Sequence, residues 1–250
     1  MLPNAPDASP RELIVPRFPQ PDDVTCGPSA LLSVLCYHGY RGSFEELKPL
    51  IPTNPDGGTL AVYLGLTALG LGYPARLYSY NLRVIDPTWS ELAPEVVASK
   101  LRARAAKTPR KKLRAACEAY ADFLAAGGVL DFRDLEPELL IEAVDRGRPL
   151  ICGLNATYLY GDARERPENN VVDDVHGDSV GHFLVVSGHD GGRQLLVTDP
   201  AEDAPHTASE GETTSEGDTY AVSARRLINA ILLGIISFDA VLLEISPESN

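Results

Sequence analysis

A cysteine stands where a loop meets an apolar helix, and this position can activate a thiol for nucleophilic attack. The stretch FPQPDDVTCGPSALLSVLCYHG places Cys26 at the start of the predicted helix, six residues after Gln20. The first N–H groups of a helix have no partner within it, and the helix dipole is positive at that end. Both effects favour the thiolate, which is the form that attacks carbonyl carbon. Cys26 is therefore a candidate nucleophile, with a candidate oxyanion partner beside it.

A predicted β-hairpin near the end of the chain carries two further candidate groups. The stretch HFLVVSGHDGGRQLLVTDP alternates with a period of two, which is typical of strands. Gly191 and Gly192 are predicted to form its tight turn. Centring the hairpin on these glycines places Asp190 opposite Arg193 and fixes the pairing of the two strands.

This pairing predicts that a histidine and an aspartate share one face of the sheet. Counting outward from the turn places Asp199 opposite Leu184, so His182 becomes a diagonal neighbour of Asp199 at a Cα separation of about 7–8 Å. A slip of one residue would move one group to the other face. In the predicted register Asp199 accepts from one ring nitrogen of His182, and the other nitrogen faces a nucleophile. Cys26 would supply that nucleophile from another layer of the fold.

The remaining cysteines and histidines fit structural roles better than chemical ones. No CxxC pair occurs, so the sequence supports neither a zinc ribbon nor a thioredoxin-like motif. Three cysteines are predicted to lie in the core: Cys36, Cys117 and Cys152. His189 abuts the hairpin turn, far from the strand end that carries Asp199, and we expect it to be exposed. His38 is expected at the end of the first helix, and His206 in a loop.

An acidic stretch, NNVVDDVHGDSVGH, directly precedes His182 and leaves two interpretations open. It offers Asp173, Asp174 and Asp178 together with His176, and oxygen-rich clusters of this kind suit calcium or magnesium. The spacing matches no metal-binding loop, which favours a solvated loop and no metal. Alternatively, the loop borders the substrate cleft, where its carboxylates would attract a cationic substrate.

Three aromatic side chains are further candidates for the wall of a cleft: Tyr158, Tyr160 and Trp89. Partial burial in the core is the favoured interpretation for each of them, because aromatic side chains usually bury much of their surface.

The composition limits the classes of partner and the location. The 250-residue chain has a formal net charge of −13, which argues against nucleic acid and anionic membranes as partners. The acidity is consistent with a basic or amine-bearing substrate, but solubility is the favoured explanation for it. The longest apolar runs are too short to span a bilayer, and the N-terminus has no secretory pattern. We therefore expect a cytoplasmic protein.

The hydrophobic pattern predicts an α+β domain with helices first and strands later. The predicted helices cover residues 27–38, 43–50, 58–70, 89–107, 109–126, 136–146 and a last one from about 223. The predicted strands cover residues 73–80, 149–154, the two arms of the hairpin and 240–245. We expect a single domain over 1–250, with a helical insertion at 89–147 and a mobile acidic loop at 201–219.

The two chemical stretches together resemble a known family of papain-like cysteine peptidases. QPDDVTCGPSALLSVLCYHG followed by GHFLVVSGHDGGRQLLVTDP is similar to the peptidases that trim double-glycine leaders from bacteriocin precursors, in particular to their stand-alone relatives. The resemblance implies that Cys26 is the nucleophile, Gln20 an oxyanion-hole residue, His182 the base and Asp199 the acid. It implies a papain-like fold, with the helical N-terminal part packed on an antiparallel sheet.

The resemblance further implies a peptidase or amidase that works through a thioester. The substrate would be a peptide or amide, a basic one being one hypothesis, and no cofactor is expected. Two alternatives on the same scaffold remain open, which are transfer of the acyl group to an amine acceptor and a non-catalytic peptide-binding role. A metal-dependent hydrolase is a third alternative and rests on the acidic loop alone.

Overall fold

A computed structural model describes residues 9–54, 58–202, 219–234 and 240–247. The α-helices are α1 (Cys26–Tyr37), α2 (Phe44–Leu47), α3 (Ala61–Gly70), α4 (Pro94–Lys107), α5 (Lys111–Ala125), α6 (Pro137–Asp145) and α7 (Ala224–Leu233). The strands are β1 (Arg11–Glu12), β2 (Ala75–Ser79), β3 (Val129–Asp131), β4 (Leu150–Asn155), β5 (Gly181–His189), β6 (Gln194–Thr198), β7 (Thr219–Ser223) and β8 (Val241–Ile245). The expected α+β class is confirmed.

The strands form one sheet of mostly antiparallel pairs. Their order is β3-β2-β8-β4-β5-β6-β7, and β1 adds to β5 outside this path. Only β2 and β3 run parallel among these pairs. Because β4 and β6 both pair with β5, the strand that carries His182 lies in the interior of the sheet.

Helix α1 is a central buried helix, as its wide apolar face predicts. Every residue from Gly27 to Leu35 is buried, and α1 packs against β5 and β4. Pro28 occupies the first turn, where its missing N–H has no partner to lose. His38 follows the last residue of the helix and Gly39 adopts a φ of +100°, so the predicted end of this helix is confirmed.

The β5–β6 hairpin differs from its predicted form at the turn and agrees with it at the base. His189 pairs with Leu195, and the N–H of Asp190 donates to Gln194, so the predicted pairing of Asp190 with Arg193 is wrong. A bulge between Val186 and Gly188 takes up the extra residue. Beyond the bulge the register returns to the predicted one.

The predicted insertion at 89–147 shares its core with the rest of the chain. Helices α4 and α5 pack on each other, and α5 packs on α3. The segment also provides β3, which pairs with β2, and α6, which packs on β5. Its division into a separate insertion stays a prediction.

Several short elements were absent from the predicted pattern. They are β1, β3, β7 and one turn of π-helix at Thr157–Gly161. Most of the acidic loop predicted at 201–219 lies outside the described residues, as does His206, and Thr219 already belongs to β7. Across the described ranges we find no helix with both the length and the apolar character needed to cross a membrane.

Candidate active site

The base of the hairpin brings His182 and Asp199 into contact. Val185 pairs with Thr198, which sets the next residue of the β6 arm level with Leu184. Nε2 of His182 lies 2.8 Å from Oδ1 of Asp199, and both side chains are buried. The contact orients the ring and leaves Nδ1 as the nitrogen that can serve another group.

The carboxylate of Asp199 is held on both of its oxygens. Oδ1 also accepts from the backbone N–H of Ala201 at 3.0 Å. Oδ2 accepts from the hydroxyls of Tyr160 at 2.6 Å and Tyr220 at 2.7 Å. Four donors therefore fix the position of one buried acid, and charge-assisted hydrogen bonds of this kind are stronger than neutral ones.

Hydrogen bonds join the extended segment before α1 to the turn that follows β6. The guanidinium of Arg17 donates to the carbonyls of Asp199 at 2.6 Å and Ala201 at 2.9 Å. The N–H of Gln20 donates to the carbonyl of Pro200 at 2.9 Å. These bonds explain how two stretches 180 or more residues apart along the chain form one side of the same site.

Cys26 is the first residue of α1, and it is partly exposed. A turn precedes it, in which Oδ1 of Asp22 accepts from the N–H of Val24 at 3.1 Å. Among the described residues, the N–H of Cys26 has no hydrogen-bond acceptor. A free N–H and a thiol therefore stand together at the positive end of a helix.

Gly27 allows the start of α1 to lie close to the strand that carries His182. A Cβ on this residue would lie 2.6 Å from Cγ2 of Thr59 and 3.2 Å from Cδ2 of Phe183. Distances below 3.0 Å are essentially never seen for a real Cβ. The glycine after Cys26 is thus a packing requirement for the close approach of α1 to Thr59 and Phe183.

The electrostatics favour a charged histidine. Burial by itself lowers the pKa of His182, but the charge and hydrogen bond of Asp199 and the neighbouring Cys26 side chain raise that pKa to about 10. Burial likewise raises the pKa of Asp199, and the charge of His182 together with the donors around the carboxylate lowers it to about 2. An imidazolium and a carboxylate are therefore the favoured forms at neutral pH.

The side-chain amide of Gln20 lies beside the site with an incomplete set of partners. Nε2 donates to the backbone carbonyl of Asp22 at 3.1 Å, which leaves one of its two N–H groups. Oε1 is buried and has no hydrogen-bond partner within the described ranges. The residue predicted for the oxyanion hole thus lines the cleft in the loop before Cys26, and one of its N–H groups remains for a ligand.

A cleft of about 650 Å³ opens beside His182. Gln20 and Val24 from the loop before α1 form part of its lining, and Tyr160 and His182 form another part. Cys26 follows two residues after Val24. The cleft can therefore hold a chain segment against the histidine. Of the three predicted cleft aromatics, Tyr160 has this position, whereas Trp89 packs against the core and Tyr158 stacks with Arg226.

The acidic loop before His182 borders this cleft, but only one of its three predicted carboxylates is among the lining residues. Asp178 lines the cleft. Asp173 instead accepts from Arg166 at 2.8 Å and from the backbone of His176 at 2.9 Å, which closes the loop on itself. Within the described residues no group of three or more His, Cys, Asp or Glu side chains could hold a metal ion.

The expectation that His189 is exposed is wrong. It is 1% exposed, because β1 pairs with the end of β5 and covers it. Its Nε2 lies 3.0 Å from Oδ1 of Asp145, and its Nδ1 accepts from the N–H of Gly191. These contacts tie the hairpin turn to α6 and leave no ring nitrogen for chemistry.

The other cysteines lie in or against the core. Cys117 and Cys152 are buried, and burial raises the pKa of both thiols. Cys36 is partly buried against the core, and burial raises its pKa too. All four cysteines are free thiols.

Sequence reasoning missed two residues that bear on the site, Arg17 and Tyr220. Tyr220 lies in β7, where the short alternation of TYAVS was the one available signal. Arg17 lies in a proline-rich stretch without regular structure, and its carbonyl partners belong to a distant turn. No local pattern could have identified it.

Comparison with known proteins gives matches in structure alone. No family profile matches the chain, and no curated protein is similar to it in sequence. The chain is similar to the crystal structure of a protein described as a C39-like peptidase from Bacillus anthracis, with 13% identity, a TM-score of 0.49, and coverage of 97% of this chain and 100% of that one. It is also similar to the peptidase domain of Streptococcus ComA, a bi-functional ABC transporter involved in a quorum-sensing pathway, with 16% identity, a TM-score of 0.46, and coverage of 92% and 97%.

Proposed function

We propose that this protein is a papain-like cysteine peptidase or amidase, with Cys26 as nucleophile, His182 as general acid–base and Asp199 as the acid that orients it. The observation that carries the proposal is the contact of His182 with Asp199 through Nε2, since it leaves Nδ1 for the thiol of Cys26. A nucleophile, a base within its reach and a third group that orients the base are the parts required for nucleophilic catalysis.

The first half of the reaction forms a thioester. The proton of the Cys26 thiol already resides on Nδ1 of His182, which gives a thiolate–imidazolium pair, and the thiolate sulfur attacks a peptide or amide carbonyl. The carbonyl oxygen becomes an oxyanion that accepts from the N–H of Cys26 and from the remaining N–H of Gln20 Nε2. When the intermediate collapses, the C–N bond breaks and His182 returns its proton to the leaving amine.

The second half releases the acid. His182 takes a proton from water, and the hydroxide attacks the thioester carbonyl. The C–S bond then breaks, the carboxylic product leaves and the thiol of Cys26 is restored. Asp199 stays ionised throughout, because its four hydrogen bonds and its low pKa favour the carboxylate.

A library of peptides and simple amides, assayed with three forms of the protein, tests this proposal. We expect the wild-type chain to hydrolyse some members, and Cys26→Ala to lose the activity by roughly 10³-fold or more. Cys36→Ala is the matched control, since it removes a thiol from the same helix ten residues away, and it should keep the activity. Turnover that survives in Cys26→Ala would refute the proposal.

A further inference from the structure

The cleft beside His182 is strongly acidic. Six carboxylate residues line it, namely Asp22, Asp23, Asp162, Glu165, Asp178 and Glu202. No lysine or arginine is among the described residues that line it. Carboxylates of one sign in a concave site reinforce each other's potential and concentrate cations there.

Most of these carboxylates form no ion pair with any residue in the described ranges. Asp22 forms a distant ion pair with Lys48, at 3.7 Å. Asp23 accepts from the side-chain amide of Asn170 at 2.8 Å. The side chains of the other four have no hydrogen-bond or ion-pair partner among the residues that the structure describes. Their charge is therefore directed to whatever enters the cleft.

Three arginines that lie on residues 158–178 or contact them are engaged elsewhere. Arg166 pairs with Asp173 at 2.7 Å, and Arg164 donates to the carbonyl of Asp174. Arg226 donates to the carbonyl of Leu159 at 2.7 Å. These cations stabilise the loops around the cleft and do not neutralise its lining.

A second feature of the cleft, the side-chain amide of Gln20, also favours a ligand with hydrogen-bond donors. Gln20 lines the cleft, and its buried Oε1 has no hydrogen-bond partner among the residues that the structure describes. A buried acceptor left without a hydrogen bond costs free energy, which a ligand can recover by supplying an N–H. Ammonium and guanidinium groups bring both the positive charge and the N–H donors.

We propose that this cleft selects substrates that carry a lysine or arginine side chain close to the bond that is cleaved. The inference rests on the proposed function, because it assigns the substrate class of the same site. Asp162, Glu165 and Asp178 are the specificity-determining residues, since they lie on one loop, line the cleft and have carboxylates without a hydrogen-bond or ion-pair partner in the described part of the chain. They act on binding and take no part in the chemical step.

Binding to the Cys26→Ala form tests the inference without turnover. The probes are two acetylated hexapeptide amides, one of six arginines and one of six citrullines, which have nearly the same shape but differ in charge. We expect the arginine peptide to bind roughly tenfold or more tightly at low salt, the size expected for about three exposed ion pairs. The triple change Asp162→Asn, Glu165→Gln, Asp178→Asn should remove this preference.

A control with the same change in net charge separates local from general attraction. Glu12→Gln, Glu91→Gln, Glu118→Gln removes three exposed carboxylates that lie outside the cleft, and it should keep the arginine preference. Equal binding of the two peptides, or equal loss in both triple variants, would overturn the inference. The proposed function fails on a different result, which is library turnover that does not depend on Cys26.

Discussion

The hydroxyl of Tyr160 donates to Oδ2 of Asp199 over 2.6 Å, on the carboxylate oxygen that His182 does not use. Tyr160 also lines the cleft and lies with its ring 6.1 Å from that of His182. One side chain thus joins the wall of the cleft to the acid of the proposed triad. We regard it as a positioning residue.

Tyr160→Phe should lower both stability and turnover. Loss of a hydrogen bond to a buried charged group is expected to cost about 1.5–3 kcal/mol of unfolding free energy. Because Asp199 loses a donor, its pKa should rise and the acid limb of the pH–activity profile should move to higher pH. Urea unfolding and that profile are the measurements.

Tyr158→Phe is the matched control for this prediction. Its hydroxyl accepts from Asn229 at 3.2 Å on the surface. We therefore expect the unfolding free energy to fall by less than about 0.5 kcal/mol and the acid limb of the pH–activity profile to stay in place. Identical behaviour of the two variants would show that Tyr160 does not position Asp199.

Replacement of Asp199 should distinguish its charge from its geometry. Asp199→Asn keeps a side-chain oxygen that can accept from Nε2 of His182, whereas Asp199→Ala has no side-chain acceptor for this ring. We expect the asparagine variant to retain more activity than the alanine variant, with an alkaline limb at lower pH than wild type because the charge that raises the pKa of His182 is gone. An alkaline limb that stays in place would contradict this account.

The pair of His182 and Asp199 predicts a bell-shaped contribution to stability. The folded-state pKa of His182 is raised from 6.5 to about 10, so its contribution is complete below 6.5 and is lost as the pH rises towards 10. The folded-state pKa of Asp199 is lowered from 3.8 to about 2, so its contribution is complete above 3.8 and is lost as the pH falls towards 2.

Urea unfolding of wild type and His182→Gln across this range measures the contribution. The difference in unfolding free energy between them should be greatest between about pH 4 and 6.5 and should shrink towards pH 10. A difference that stays constant from pH 6.5 to 10 would show that His182 carries no extra proton in the folded state.

Gly27→Ala should disturb the site through packing. The new Cβ would lie 2.6 Å from Cγ2 of Thr59 and 3.2 Å from Cδ2 of Phe183, so the start of α1 and these side chains must move apart. We expect a loss of about 1–3 kcal/mol in unfolding free energy, together with loss of activity. Gly70→Ala is the control, because a Cβ there meets nothing within 4 Å, and the change should be neutral or stabilising. Equal effects of the two changes would contradict this packing role.

The contact between His182 and Asp199 could be predicted because strand alternation fixes which residues share a face. The pairing near the turn could not be predicted, because the bulge after Val186 results from tertiary packing, which counting residues outward from the turn does not take into account. At Gly188 a Cβ would lie 2.8 Å from the carbonyl oxygen of Arg11 on β1. The predicted register was therefore correct at the chemical end of the hairpin and wrong near the turn.

The helices were predicted to within a few residues where apolar periodicity was strong, as in α1 and α5. Burial of His189 was not predictable, because the strand and the carboxylate that cover it lie in distant parts of the chain. The same reason applies to Arg17 and Tyr220. Local pattern identifies elements and candidate groups, whereas tertiary contacts decide which groups meet.

The most direct test of the account is the rate at which iodoacetamide alkylates Cys26 at pH 6, followed by peptide mapping. The proposed pairing predicts that Cys26 reacts faster than Cys36 in the wild-type protein, and that His182→Gln slows alkylation of Cys26 by roughly tenfold or more while Cys36 is unchanged. Equal rates at Cys26 in the two proteins would contradict the claim that His182 activates this thiol.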